Sequence, residues 1–320
     1  MSRHFIYIDW LKSLAIIVVV LFHCGWFNHW LTVAFFPFAV PLFFVISGGI
    51  ALQKDYDFTT VLRRNIHLLF IVAFWGALST IICMYHRAEL ISPKIIISHV
   101  CSLDVPYCNH LWFLCSLIVL NFLQPFLREF TKTHSTRDVL IVWGLIGLMS
   151  FQGVNNFLRP ISIMSNWNGY SLFYYLGGYL LMSNQLNSKR LPTWSILLMA
   201  IGGYSLMLIH NWLISTNEWW SNHFLHYDTF FDSYSTFPCA ILTFSIFELF
   251  SRFSMKEISV ITYISKHTLA IYVIHWVLLI PIYLLIDSIW VKPLILIILS
   301  LLLTMILERI PYVCRIVQNK

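Results

Sequence analysis

Residues 8–26 read IDWLKSLAIIVVVLFHCGW. As an α-helix this stretch is about 28 Å long, enough to cross the hydrocarbon core of a bilayer. It carries three groups that a lipid-facing helix should not carry without reason: Asp9, Lys12 and His23. Lys12 and His23 are eleven positions apart, three turns plus roughly 20° at about 100° per residue, so they share one face. Their separation along the axis is about 16 Å. A cation near one side of the membrane and an imidazole toward the other therefore stand on one stripe.

The rest of the chain sets that helix in context. Of 320 residues, 59% are apolar and only 11% charged, and the mean hydropathy is +0.76. A soluble chain of this length cannot hide so much apolar surface, so the expectation is an all-α polytopic membrane protein whose first partner is the lipid bilayer. The formal charge of +6 is scattered rather than gathered in basic runs, which argues against nucleic acid. Arg3 precedes the first apolar stretch, but no small-x-small cleavage site follows it, so the stretch reads as an uncleaved first span. Among the seven cysteines no CxxC pair occurs. Cys24, Cys83, Cys115, Cys239 and Cys314 read as packing residues, whereas Cys101 and Cys108 share one loop and leave a disulfide open.

Ten spans are expected, near residues 8–26, 31–52, 65–84, 110–127, 139–153, 168–186, 193–214, 231–250, 264–286 and 291–310. Pro37 and Pro41 are expected to kink the second, and Gly48 and Gly49 to permit close helix approach. All but four of the 20 lysines and arginines (Arg87, Lys94, Arg159 and Lys292) fall on the side of the N-terminus. By the positive-inside rule both termini are then cytoplasmic. No connecting segment is long enough for a soluble domain, so residues 1–320 read as one transmembrane domain. No internal repeat supports an inverted-repeat transporter.

Asp9 and Lys12 admit a plain reading as an interfacial i,i+3 ion pair, with Lys12 snorkelling. His23 admits one as an interfacial polar residue. The functional alternative is an imidazole in a dry pocket that takes a proton from a hydroxyl. Arg63-Arg64 satisfies simple topology, or with Lys12 binds a phosphorylated ligand, since guanidinium matches phosphate oxygens. There is no Walker motif, no GxGxxG and no GxSxG. His223-x-x-His226 with Asp228 stands in a loop where no third ligand is fixed, so no metal is expected. His275, within TLAIYVIHWVLLI, suits a buried structural hydrogen bond or a place in a substrate site. Glu248 reads as interfacial.

IDWLKSLAIIVVVLFH, VPLFFVISGG, LRRN, HLWFLCSLIVLNFLQPFL and ISKHTLAIYVIHWVLL occur in this order between Ile8 and Leu279. Together they resemble the membrane-bound acyltransferase family 3. The resemblance implies about ten helices in one membrane domain. It implies transfer of an acyl group, most often acetyl from acetyl-CoA, to extracytoplasmic sugars such as surface polysaccharide, in the bacterial cytoplasmic (inner) membrane. It implies that His23 is the essential histidine, with Lys12 where the family usually has arginine. Arg63 and Arg64 match the basic pair after the second span, Ser47 and Gly48 the serine–glycine pair, and Trp112 the tryptophan of the HLWFL block. Some members carry a fused extracytoplasmic esterase-like domain, which this chain is expected to lack.

On that basis Lys12, Arg63 and Arg64 would hold the phosphates of acetyl-CoA at the inner mouth. The pantetheine arm would run beside the first helix, and His23 would deprotonate the sugar hydroxyl or carry the acyl group covalently. Asp9 would orient Lys12, and Trp112, Ser47 and His275 would line the substrate site. The rival is an exporter of glycan or lipid-linked sugar, which needs a substrate-sized path but no base aligned with an inner cation.

Overall fold

The computed structural model describes residues 5–25, 34, 36–151, 169–219, 234–288 and 290–310. Among them every regular element is helical. The α-helices are α1 (Ile6–His23), α2 (Ala39–Ala51), α3 (Phe58–His86), α4 (Pro93–Ser102), α5 (Trp112–Thr133), α6 (Thr136–Ser150), α7 (Gly169–Met182), α8 (Thr193–Thr216), α9 (Phe237–Arg252), α10 (Ser259–Lys266), α11 (Thr268–Leu285) and α12 (Val291–Glu308). Each of the ten expected stretches holds one of these helices. Six segments among the described residues are long and apolar enough to cross a membrane: α1, α3, residues 109–133, α8, α11 and α12. In lipid this is the economical solution, because a helix satisfies its backbone hydrogen bonds within the segment.

Two elements depart from expectation. The second span is not kinked by its prolines: Pro37 lies before α2 and Pro41 falls in its first turn. There a backbone N–H would lack an intrahelical partner anyway, so proline costs nothing. The segment between α3 and α5, expected as a loop, contains the short helix α4, opened by Pro93 at its first position.

The core of the bundle is the pairing of α2 with α7. A Cβ at Gly48 would sit 1.8 Å from the Tyr175 carbonyl oxygen, and one at Gly178 1.9 Å from that of Val45. Only glycine allows the two backbones so near each other, the small-residue packing that joins helices in lipid. Around this pair, Trp143 of α6 stacks on Phe173 of α7 at 4.8 Å and 6° and donates to its carbonyl. Asn65 of α3 donates to Ile118 O of α5 and accepts from Asn121. Gln124 of α5 donates to Ala51 O and Lys54 O at the end of α2. Beyond the helix ends, Asp55 meets Lys132 and Arg128. Hydrogen bonding from Lys132 first, then from Arg128, holds its carboxyl below the usual carboxylate range.

Glu248, near the end of α9, is buried against its neighbours. It is 4% exposed and accepts from Arg252 Nε at 2.8 Å, while the rest of that guanidinium donates to Leu191 O and Ser188 O before α8. The ion pair fixes α9 against the α7–α8 connection.

Helix α1 is held along its length by α10 and α11. Trp10 Nε1 donates to Lys256 O, Ser13 Oγ to Ile261 O and Ser265 Oγ to Asp9. At the other end Tyr283 donates to His23 O at 3.1 Å. The start of α1 therefore lies by the start of α11 and the end by the end, so the two helices run parallel. The cysteines Cys101 and Cys108 are free thiols, one exposed and one buried; Cys108 Sγ donates to His99 O.

Candidate functional site

The stripe on α1 faces a cavity at one end and a cluster of imidazoles at the other. The cavity encloses about 490 Å3 between α1, α2, α3, α5 and the α10–α11 junction. Its polar lining is Lys12, Ser47, Ser265, Lys266, His267 and Thr268; its apolar lining includes Phe43, Leu68, Phe113, Leu114, Leu117 and Tyr272. It thus offers two ammonium groups and several hydroxyls to a polar head, and an apolar channel to a chain. No carboxylate is among its lining residues. His267 turns its Nδ1 to Glu308 of α12 at 3.0 Å. Asp9, buried beside it, accepts from Ser265 at 2.6 Å and so ties α1 to the cavity wall.

The inner end of the cavity is Tyr272 and Phe113, whose rings meet at 5.7 Å. Immediately past Tyr272 lie three histidines from three segments. Tyr272 donates its hydroxyl to the carbonyl of His110. The His23 and His275 rings are 5.3 Å apart, centroid to centroid, and His110 and His275 6.4 Å. Trp276 joins them: it lies flat on His110 at 4.6 Å and 18° and meets His23 edge-on at 5.0 Å. Its indole N–H is spent on Tyr107 O, which locks the ring. The Tyr107 hydroxyl in turn donates to Glu89, and that hydrogen bond, then burial, raise the phenol above its ordinary pKa. His275 Nδ1 contacts Ile271 O at 3.0 Å. A carbonyl only accepts, so Nδ1 carries the proton and Nε2 is a bare lone pair. That Nε2 is buried without a partner.

The structure therefore places Lys12 and Ser47 in the cavity wall and His23 and His275 together in the imidazole cluster. Arg63 and Arg64 are elsewhere: both are exposed on α3 and neither lines the cavity. Arg64 lies over the Tyr56 ring at 4.0 Å. It is one turn before Leu68, which does line the cavity, so it stands by the rim. Trp112 belongs to an aromatic group with Tyr234 at 5.7 Å and 28°, Tyr170 and Phe44. That group reaches α1 through Phe36, which stacks on Phe22, the neighbour of His23, at 3.6 Å. His223, His226 and Asp228 lie outside the described residues, as does Cys314. Among the described residues no group of three or more His, Cys, Asp or Glu side chains is placed to hold a metal ion.

Lys266, Tyr272, His110 and Trp276 were not legible as site residues. All four stand in the sequence blocks HLWFL and ISKHTLAIYVIHW, but only the fold puts Tyr272 on His110, 162 positions away.

Fold and site define a multi-pass helical membrane protein with an amphipathic cavity that stops at a layer of imidazoles. A family model described as an acyltransferase domain, acyltransferase family 3, matches residues 5–309. The chain belongs to this family and is a membrane acyltransferase. No curated protein and no solved structure matches the chain.

Proposed function

We propose that this protein takes acetyl from acetyl-CoA and places it on a hydroxyl of an extracytoplasmic surface glycan or lipid-linked sugar, with His23 as the general base. The observation that carries this reading is the cavity itself. It begins among Lys12, Lys266 and three hydroxyl side chains and ends at Tyr272, one helical turn before His275. A phosphorylated donor with a slender arm fits that polarity. The ammonium groups meet phosphate oxygens, the apolar channel takes the arm, and the thioester arrives beside the imidazoles. Arg64, at the rim, meets the nucleotide end, with Arg63 next to it in the chain. Asp9 holds the α1 wall on which Lys12 stands, and Ser47 lines the same channel. Trp112 and its aromatic neighbours offer ring faces to a sugar.

The transfer needs a base at the acceptor's side of the membrane and a donor site at the other. The proposed topology is ten spans with both termini inside, in the bacterial inner membrane. The parallel run of α1 and α11 supports it: an odd number of crossings must separate them, and α2, α3, α5, α6, α7, α8 and α9 are seven. Mass spectrometry of the surface glycan tests the function, comparing cells with and without the gene. The reading requires that glycan repeats lose the mass of one acetyl group when the gene is removed. Unmodified repeats in both strains, with less glycan exported in its absence, would favour an exporter instead.

A further inference from the structure

His110 is 3% exposed, and neither ring nitrogen has a hydrogen-bond partner among the described residues. A neutral imidazole always carries one N–H and one lone pair, so a donor stands unspent here whatever the tautomer. Buried polar groups are nearly always satisfied, and an exception calls for a ligand, a water or a catalytic role. The ring is also immobilised: Trp276 covers one face at 4.6 Å, Tyr272 leans on it at 5.9 Å and 53°, and Tyr272 clamps the backbone carbonyl. Its location is specific. Tyr272 and Phe113 close the inner end of the cavity, and His110 lies just past them, three residues before Phe113. Trp276 also touches the His23 ring, which it meets edge-on at 5.0 Å.

We propose that His110 is a catalytic residue whose ring N–H receives the carbonyl oxygen of the donor thioester as that oxygen becomes an oxyanion. The inference rests on the acyl-transfer reading above. The acceptor's O–H bond breaks and its proton passes to His23. The oxygen's electron pair forms the new C–O bond, and the carbonyl π pair moves onto the carbonyl oxygen, where the N–H of His110 meets it. On collapse the C–S bond breaks, the sulfur leaves with its pair, and it takes the proton held by His23. A fixed donor in a dry site is worth most where charge develops, because it needs no reorganisation. His110 has both properties, and its N–H has nothing else to bond.

The test uses the purified full-length protein in lipid nanodiscs with radiolabelled acetyl-CoA and extracted membrane glycolipid. His110→Phe keeps the ring and removes the donor; His110→Gln keeps an N–H donor on a side chain of similar length. His110→Phe is expected to lower kcat by about 100-fold to 1000-fold, the loss typical of one oxyanion donor, with KM for acetyl-CoA within threefold of wild type. His110→Gln should retain at least a tenth of wild-type kcat. Thermal unfolding of His110→Phe should be unchanged or higher, since an unpaired polar group has been removed. A His110→Phe enzyme within threefold of wild-type kcat overturns the assignment, as does an equal loss in the two variants. His23→Ala, run alongside, separates the readings. Full activity there removes the base while leaving the His110 result to stand on its own, and a wild type that moves no acetyl from acetyl-CoA overturns both.

Discussion

Replacing Gly48 by alanine puts a methyl group where the backbone of α7 already is. The added Cβ would lie 1.8 Å from Tyr175 O, 2.5 Å from its carbonyl carbon and 2.7 Å from its Cα. Carbon–oxygen contacts sit at about 3.3 Å at closest, so α2 and α7 must part by about 1.5 Å. Backbone atoms cannot rotate aside as a side-chain end can. The overpacking cost is therefore at the upper end of the usual range, about 2–3 kcal/mol. At roughly 2–4 °C per kcal/mol for chains above 150 residues, the unfolding midpoint should fall by at least about 4 °C. Function should suffer more than stability. Ser47, the residue before Gly48, lines the cavity, and a displacement of about 1 Å at a positioned group can cost roughly 100-fold in rate. The assay is thermal unfolding and acyl-transfer rate of the purified protein, with Gly144→Ala and Gly202→Ala as controls. At both control positions a Cβ meets nothing within 4 Å, so those variants should melt no lower than wild type. A Gly48→Ala protein with the wild-type midpoint and rate would refute the close α2–α7 packing.

Three further outcomes follow from the same geometry. Arg252→Ala leaves Glu248 buried and unpaired, so it should destabilise by about 3 kcal/mol, and Arg252→Met with Glu248→Met together should recover most of that in a thermal melt. Lys12→Ala and Lys266→Ala should each raise KM for the acyl donor by about tenfold to hundredfold with little change in kcat, the worth of one charge-assisted hydrogen bond of about 1.5–3 kcal/mol; Lys12→Arg should stay near wild type in the same kinetic series. In intact cells a membrane-impermeant maleimide should label exposed Cys101 and spare buried Cys108, as mass spectrometry of the labelled peptides would record.

The helices were legible because lipid imposes one solution on an apolar stretch. Their ends were less so. Arg63 and Arg64 read as the opening of a span, yet α3 already begins at Phe58, since a helix continues past the apolar part of its sequence wherever its backbone bonds can be made. Pro41 read as a kink because proline disturbs a helix interior, and only the helix start at Ala39 puts it in the first turn. In the site, the Lys12–His23 stripe came from periodicity within one helix; Lys12 lines the cavity, whereas His23 stands in the imidazole cluster beyond it. Lys266 counted only as topological charge, because a lysine that snorkels and one that lines a cavity look alike along a chain. His110, Tyr272 and Trp276 become a unit only through contacts between segments over 160 positions apart, which no local pattern encodes. The burial of Glu248 was not legible for the same reason: its partner Arg252 is local, but the carbonyls that complete the site, Leu191 and Ser188, are not.

The central claim is that the imidazole of His23 enables acetyl to pass from acetyl-CoA to a glycan hydroxyl. Inverted membrane vesicles supplied with radiolabelled acetyl-CoA test it directly, comparing wild type with His23→Gln at equal protein level. Wild type should place label in the glycan fraction, and the variant should lose at least about 100-fold, the lower end of what a positioned base contributes. Label incorporated by His23→Gln at the wild-type rate would contradict it.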